Sequence, residues 1–252
     1  MTAAQASLNL NIYAQPLMDE DKRPLTIVHG MERALPGLRL AWTRSEKGDF
    51  IALTHRDEWV DANRADGGFP FLCNDDERRP VTLTGWENPS GLALGSPPRL
   101  DVHATLPMDS SGIAAAADVL EAIAQGAHSV WGHVSPWGYN EVVSQQFRAS
   151  EDTPHATPYG LPSLLRPRYN RTPEVPHYIG WINYWSAATA SAIGFPDPDR
   201  DVDLLSRARR TRTGGWVVRL TEVPLDLDNP AHLSTLKQAY ERFPAIGGRA
   251  AP

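Results

Sequence analysis

Eight histidines carry the most chemical potential in this chain: His29, His55, His103, His128, His133, His155, His177 and His232. The pair with the most ligand-like local spacing is His128 and His133. It lacks the i, i+4 register and the intervening glutamate of a zinc-binding helix. His103 and Asp101 share the polar side of one alternating segment, so Asp101, His103, His128 and His133 are the set from which a metal-assisted hydrolase could be assembled. Scattered surface and cap positions account for the same residues, and the expectation is no metal and no other cofactor. Ser-His-Asp catalysis needs a serine on a sharp turn beside an oxyanion donor. The candidates Ser110-Ser111-Gly112 and Trp185-Ser186-Ala187 read instead as helix starts. Cys73 is the only cysteine, which excludes an intrachain disulfide and a multi-cysteine zinc site. It reads as a small buried hydrophobe. Gly214-Gly215 precedes a strand, the reverse of a phosphate-binding loop.

Acidic groups form a second kind of constellation. Asp57, Glu58 and Asp61 fall on one short helical stretch, and Asp75, Asp76 and Glu77 fall in a turn. Such carboxylates can steer a basic partner and pair with its lysines and arginines, so these six are the candidate partner-binding residues. Solvated loops explain the same pattern. Arg207, Arg209, Arg210 and Arg212 make the one dense basic run, but Asp197, Asp199, Asp201 and Asp203 precede it and are expected to neutralise it. A nucleic-acid patch is therefore rejected. Eight tryptophans supply rings suited to a core or an interface. Trp131, Trp137 and Tyr139 could frame the pocket of a small-molecule binding module.

These groups must be positioned by a mixture of strands and helices. Leu8, Leu10 and Ile12 alternate with Asn9 and Asn11, the period of a half-buried strand. Pro24 opens a helix carrying Leu25, Val28, Met31 and Leu35, closed by Pro36-Gly37. A hairpin over Leu38 to Leu53 turns at Lys47-Gly48-Asp49, and a short helix surrounds Asp57 to Val60. Three further strands are expected at Phe69 to Cys73, Val81 to Trp86 and Leu100 to Leu106. Asp109 to Ser111 then cap an alanine-rich helix through Ala127. Residues 135–176 form a proline-rich surface excursion, interrupted by a short helix near Glu141 to Phe147. Order returns with a strand over Tyr178 to Trp185, a helix over Ala187 to Ile193 and a strand over Trp216 to Leu220. The last element is a helix entered at Asp228-Asn229-Pro230. Strands in runs without steady β-α alternation predict an α+β fold: one domain over 1–252, a mostly antiparallel twisted sheet with helices packed on it.

A net charge of −6 disfavours direct binding to nucleic acid or to an anionic membrane. No run of about eighteen apolar residues is present for a membrane span. The N-terminus lacks a basic start followed by an apolar stretch, so a cytoplasmic location is the default.

The last third carries a resemblance. Gly180-Trp181-Ile182-Asn183-Tyr184, the strand Gly215-Trp216-Val217-Val218 and the helix entry Leu225 to His232 are together similar to the immunity protein 52 family of bacterial polymorphic toxin systems. A related family of uncharacterised myxobacterial proteins is similar along nearly the whole length, through blocks such as Val28-His29-Gly30-Met31-Glu32 and Asn183-Tyr184-Trp185-Ser186-Ala187. The Tyr-Trp-Gly start usual in the immunity family is replaced by Asn11-Ile12-Tyr13-Ala14. The resemblance implies a non-enzymatic α+β inhibitor that binds a cognate toxin, commonly a basic nuclease domain of restriction-endonuclease fold. It transfers no catalytic residue.

Overall fold

Alternation and capping build the elements seen in the computed structural model, which describes residues 6–18, 20–63, 68–88, 98–148, 157–167 and 172–249. Strand β1 (Ser7–Ala14) buries Leu8, Leu10, Ile12 and Ala14 and turns Asn9, Asn11 and Tyr13 to the other face. Helix α1 (Arg23–Ala34) has Pro24 in its first turn, where a missing N–H costs nothing, and buries Ile27, Val28 and Met31. Helix α3 (Ser110–Gly126) is capped by Asp109, whose carboxylate accepts the Gly112 N–H. Gly30 lets α1 meet α3 closely, since a Cβ there would lie 3.1 Å from the Ala122 carbonyl oxygen. The closing helix α7 (Pro230–Arg242) starts at Asn229, whose side chain accepts the Ala231 N–H, with Leu236, Ala239 and Tyr240 buried.

The remaining elements are β2 (Trp42–Arg44), β3 (Phe50–Ala52), α2 (Arg56–Ala62), β4 (Gly68–Cys73), β5 (Thr82–Asn88), β6 (Arg99–Pro107), β7 (Ser129–Pro136), α4 (Trp137–Arg148), β8 (Ile182–Trp185), α5 (Ala187–Ile193), α6 (Val202–Ser206), β9 (Ala208–Arg210) and β10 (Trp216–Arg219). The ten strands of the described residues join one sheet in the order β3-β2-β4-β5-β6-β1-β7-β8-β10-β9, and every neighbouring pair is antiparallel. The fold is α+β, as the run-wise order of strands predicts.

The two faces are covered differently. Leu8, Leu10 and Ile12 of β1, with Val102, Ala104 and Leu106 of β6, form the core beneath α3. On the opposite face, α4 and residues 175–181 close over β1, β7 and β8. Tyr178 donates its hydroxyl to Asn140 and receives an Asn11 amide, and Tyr139 donates to the Ile179 carbonyl. Tyr240 brings α7 into this layer by accepting the Ile179 N–H.

Several expectations shift. Strand β7 was hidden within the run from the alanine helix to the proline-rich stretch, because a strand covered on both sides loses its alternation: seven of its eight residues are buried. Residues 135 and 136 end that strand, and the short helix expected near Glu141 extends over Trp137–Arg148. Leu161 and Leu164 are buried, whereas Leu165 is exposed. The strand expected from Tyr178 is regular only over Ile182–Trp185. The aspartates at 201 and 203 and the basic run form α6 and β9. Their charges are answered elsewhere: Arg209 pairs with Asp118 and Glu121 of α3, and Asp201 with Arg242 of α7.

Candidate functional site

The hairpin β2–β3 fixes one side of the candidate site. Its register sets Arg44 opposite Phe50 and Trp42 opposite Ala52, while Trp42 also faces Cys73 and Cys73 faces Thr82. Period-two alternation therefore places Phe50, Arg44, Trp42, Phe71, Cys73 and Thr82 on one face of the sheet. The intervening Thr43, Leu72 and Leu83 point into the core. The Arg44 guanidinium lies 5.0 Å from the Phe50 ring centre and 5.4 Å from that of Phe71. The turn after β4, Asn74 to Pro80, rises beside this floor and encloses a cleft of about 250 Å3, rimmed by Asp75, Asp76 and Glu77. A second cleft of about 390 Å3 lies on the other side of the same turn, against Leu35–Arg39 and the start of α3.

The turn is braced from within. Asn74 accepts the Val81 N–H and donates to the Arg79 carbonyl. Asp76 accepts the N–H groups of Arg78 and Arg79, and Arg79 pairs with Asp109 at 2.7 Å. Asp75 and Glu77 are exposed, and among the described residues no hydrogen bond or ion pair engages either carboxylate. Burial pushes the Cys73 thiol above its ordinary range, so a few molar denaturant should be required before it reacts appreciably with a thiol reagent, a difference a timed Ellman assay reads directly.

Two of the other three predicted acids, Asp57 and Asp61, are committed to the fold. Arg56, buried, bonds Glu32 and the Leu40 carbonyl and holds Asp57 at 2.6 Å, strapping α2 to α1. Asp57 also meets His29 at 2.9 Å. Partial burial alone would raise the Asp57 carboxyl, but Arg56 and His29 together hold it below the usual range. Asp61 pairs with Lys22 at 2.8 Å, and Glu58 is exposed. The two clusters thus differ: one has two carboxylates already answered, the other two that no described residue answers.

The histidine constellation is partly assembled. Asn11 of β1 faces His103 on one side and His133 on the other, and Tyr13 likewise faces Asp101 and Trp131, so Asp101, His103 and His133 share the second face of the sheet. His128 stands apart, in the turn after α3 with φ of 53°. His133 is 1% exposed, packed against Tyr178 and Trp131, with neither ring nitrogen hydrogen-bonded. Burial, and secondarily His103, drops its pKa to about 3. Burial and then Arg99 lower His103 to about 4, where its ring stacks on Trp86 at 4.3 Å. Asp101 is raised by burial against the pull of Arg99, its ion-pair partner at 2.7 Å. Among the described residues, no three His, Cys, Asp or Glu side chains converge with metal-ligand geometry.

The three rings considered for a small-molecule pocket part ways. Trp131 is buried and donates to the Pro173 carbonyl, Tyr139 is buried between Ile179 and Tyr240, and Trp137 is 56% exposed. The residues carrying the resemblance are structural. Gly180 gives its N–H to Asn183 and receives the Asn183 amide, Trp181 is fully buried, and Ser186 caps α5.

Sequence reasoning missed the aromatic floor. Trp42, Phe50 and Phe71 each read as ordinary strand residues, and only the pairing of β2 with both β3 and β4 gathers them. Among the described residues, no helix is long and apolar enough to cross a membrane.

Comparison with known proteins gives a family and a fold. The model of the family described as "Domain of unknown function (DUF5953)" matches residues 19–251. No curated protein matches in sequence. Among solved structures, one similar chain is titled "Pseudomonas aeruginosa T6SS protein PA0821": the TM-score is 0.58 at 15% identity, covering 94% of this chain and 73% of that one. At that identity the likeness is one of fold.

Proposed function

The chain belongs to the DUF5953 family, and from that premise we propose that it is an immunity-type inhibitor which docks on a cognate protein toxin and works in competition between bacteria. The observation that carries this reading is the cleft between β3 and the Asn74–Pro80 turn. Its floor is aromatic, its rim holds Asp75, Asp76 and Glu77, and it sits on a sheet face where Phe50 and Trp86 are exposed. Aromatic anchors inside a charged rim are how protein interfaces concentrate binding energy and select a partner. The resemblance to the immunity protein 52 family supports the same reading, as does a fold shared with a protein titled as a T6SS protein. The toxin is a basic domain, with a nuclease of restriction-endonuclease fold the form the resemblance favours. The inhibitor turns over no substrate and acts in the cytoplasm, where such a toxin would find nucleic acid.

Co-expression with the toxin encoded beside this gene tests the proposal. The expected outcome is relief of toxicity and a stoichiometric complex burying roughly 1,200–2,000 Å2 in total. Reversing Asp75, Asp76 and Glu77 to lysine should slow association by about tenfold or more and flatten its salt dependence. Toxicity unrelieved by the wild-type chain, with no complex recovered, would remove the reading.

A further inference from the structure

The two ends of the sheet are guarded unequally. At one end β9 presents Arg209 and Arg210, and Arg209 is folded back onto Asp118 and Glu121. Charged side chains of this kind are how edge strands are kept from pairing with other chains. At the other end β3 presents Phe50, Ile51 and Ala52, all exposed, with no charge among them.

The hairpin hydrogen bonds tell which backbone groups of β3 look outward. Ser45 donates its N–H to the Asp49 carbonyl, and Leu53 donates its N–H to the Ala41 carbonyl. Antiparallel pairs alternate between hydrogen-bonded and non-bonded residues. Asp49, Ile51 and Leu53 therefore point their amides and carbonyls toward β2. Phe50 and Ala52, the residues between, point theirs away from the sheet. The same two residues share the cleft face with Arg44 and Trp42.

We infer that β3 is a strand-addition site: an extended, basic segment of another polypeptide pairs with the outward amides and carbonyls of Phe50 and Ala52 and lays a lysine or arginine across Phe50 into the acid-rimmed cleft. The backbone pairing supplies affinity in a sequence-tolerant way, and the cleft supplies the choice of side chain. Charge selects the occupant. Three carboxylates and one guanidinium line the cleft, and that guanidinium is already stacked on Phe50 and Phe71. An incoming cation meets Asp75 and Glu77, unpaired among the described residues, and the Trp42 ring. A second copy of the chain would bring the same acidic rim against itself, which disfavours self-pairing. The pairing rests on the reading of the cleft as a protein-docking surface, and its test needs no toxin.

The probes are three synthetic ten-residue peptides titrated into the 15N-labelled full chain. One alternates lysine and valine, one alternates glutamate and valine, and one repeats the lysine series with alternate backbone nitrogens methylated. The expected result is that the lysine peptide shifts the Phe50 and Ala52 amides and slows their hydrogen exchange by about tenfold or more, with the methylated and acidic peptides at least about tenfold weaker. Ala52→Pro removes an outward N–H without touching a β2–β3 hydrogen bond, so it should abolish the shift of the remaining Phe50 amide and keep the thermal midpoint. If that variant loses the hairpin, the methylated peptide still separates backbone pairing from charge alone. Equal binding of all three peptides, or no response in β3 to any of them, overturns the inference. So does a dimer of the free chain that Ala52→Pro converts to monomer, because the occupant is then a second copy. Peptide binding as expected alongside unrelieved toxicity would leave the edge site standing and remove the immunity reading. Full neutralisation by Ala52→Pro would do the reverse.

Discussion

Lowering the pH from 7.5 to 5 should cost this protein several kcal/mol of stability, beginning near pH 6.5. His133 and His177 are buried, at 1% and 6% exposure, and their rings stay neutral in the fold. Burial, with His103 as a lesser cause, holds His133 to about 3. Burial, then Arg99 and His133, holds His177 well below its usual value. The rings packed against them are Tyr13, Trp131 and Tyr178, none of which carries a carboxylate to stabilise an imidazolium. The folded pKa of each is depressed, so above pH 6.5 both states are neutral and nothing is lost. Below it the unfolded chain takes up protons that the native state refuses, and each group removes about 1.4 kcal/mol per pH unit. His103, held to about 4 by burial and then Arg99, acts in the same direction, and the three groups together give a slope of roughly 4 kcal/mol per unit. Between pH 6.5 and about pH 4–5 that removes roughly 6–10 kcal/mol, which unfolds a domain in the lower half of the usual range of about 5–15 kcal/mol. Urea midpoints at pH 7.5, 6 and 5 measure it, and His133→Phe should take about a third of the slope away. Identical midpoints at pH 7.5 and 5 would show that these rings are protonated or solvated in the native state.

The parts of the fold legible in the sequence are those whose signal is local. Strand β1 shows its alternation because one of its faces is apolar and the other carries Asn9, Asn11 and Tyr13. Asp109, Ser186 and Asn229 announce helix starts because a side-chain oxygen must meet amides the helix cannot satisfy, and each does so. Strand β7 is opaque for the opposite reason. It lies between β1 and β8 with both faces covered, and its polar members Ser129, His133 and Ser135 are buried, so neither alternation nor polarity marks it. Proximity in sequence also misleads about charge: the aspartates at 197–203 lie beside the arginines at 207–212, yet Asp201 is satisfied by Arg242, 41 residues on in the closing helix.

The candidate site was half visible for the same reason. Carboxylates in a turn can be read from composition, which is why Asp75, Asp76 and Glu77 could be singled out. That Asp57 and Asp61 would be taken by Arg56, His29 and Lys22 depends on how α2 meets α1, which no local pattern encodes. The aromatic floor needs three strands that are not consecutive in the sheet order implied by the chain, since β2 pairs with β4 as well as with its hairpin partner. Long-range pairing is the physical step a linear pattern cannot supply, and here it converts an acidic turn into a cleft.

Replacing Trp181 should be the most damaging single change in the molecule, although it touches no part of that cleft. The indole is 0% exposed, its Nε1 donates to the Thr221 carbonyl at 2.8 Å, and its backbone oxygen takes the Leu220 N–H. It thereby ties residues 175–181, β8 and the end of β10 into one joint. Trp181→Ala removes the whole ring and leaves a cavity, a loss of about 3–5 kcal/mol. Trp181→Phe keeps much of the packing but orphans the Thr221 carbonyl, for about 1–3 kcal/mol. The neighbouring Gly180→Ala should also be costly, by roughly 1–3 kcal/mol, because its Cβ would stand 2.6 Å from the His133 Cβ and 2.9 Å from the Ser135 hydroxyl. By contrast Glu77→Lys, on the exposed rim, should move stability by no more than about 0.5 kcal/mol. Urea unfolding followed by far-ultraviolet circular dichroism ranks the four. The order matters because Gly180 and Trp181 carry the family resemblance, while Glu77 belongs to the proposed contact surface. If Trp181→Ala left the midpoint where it was, the Gly-Trp block would have to be a binding element, and the division between a structural C-terminal third and an interface at the far edge of the sheet would fail.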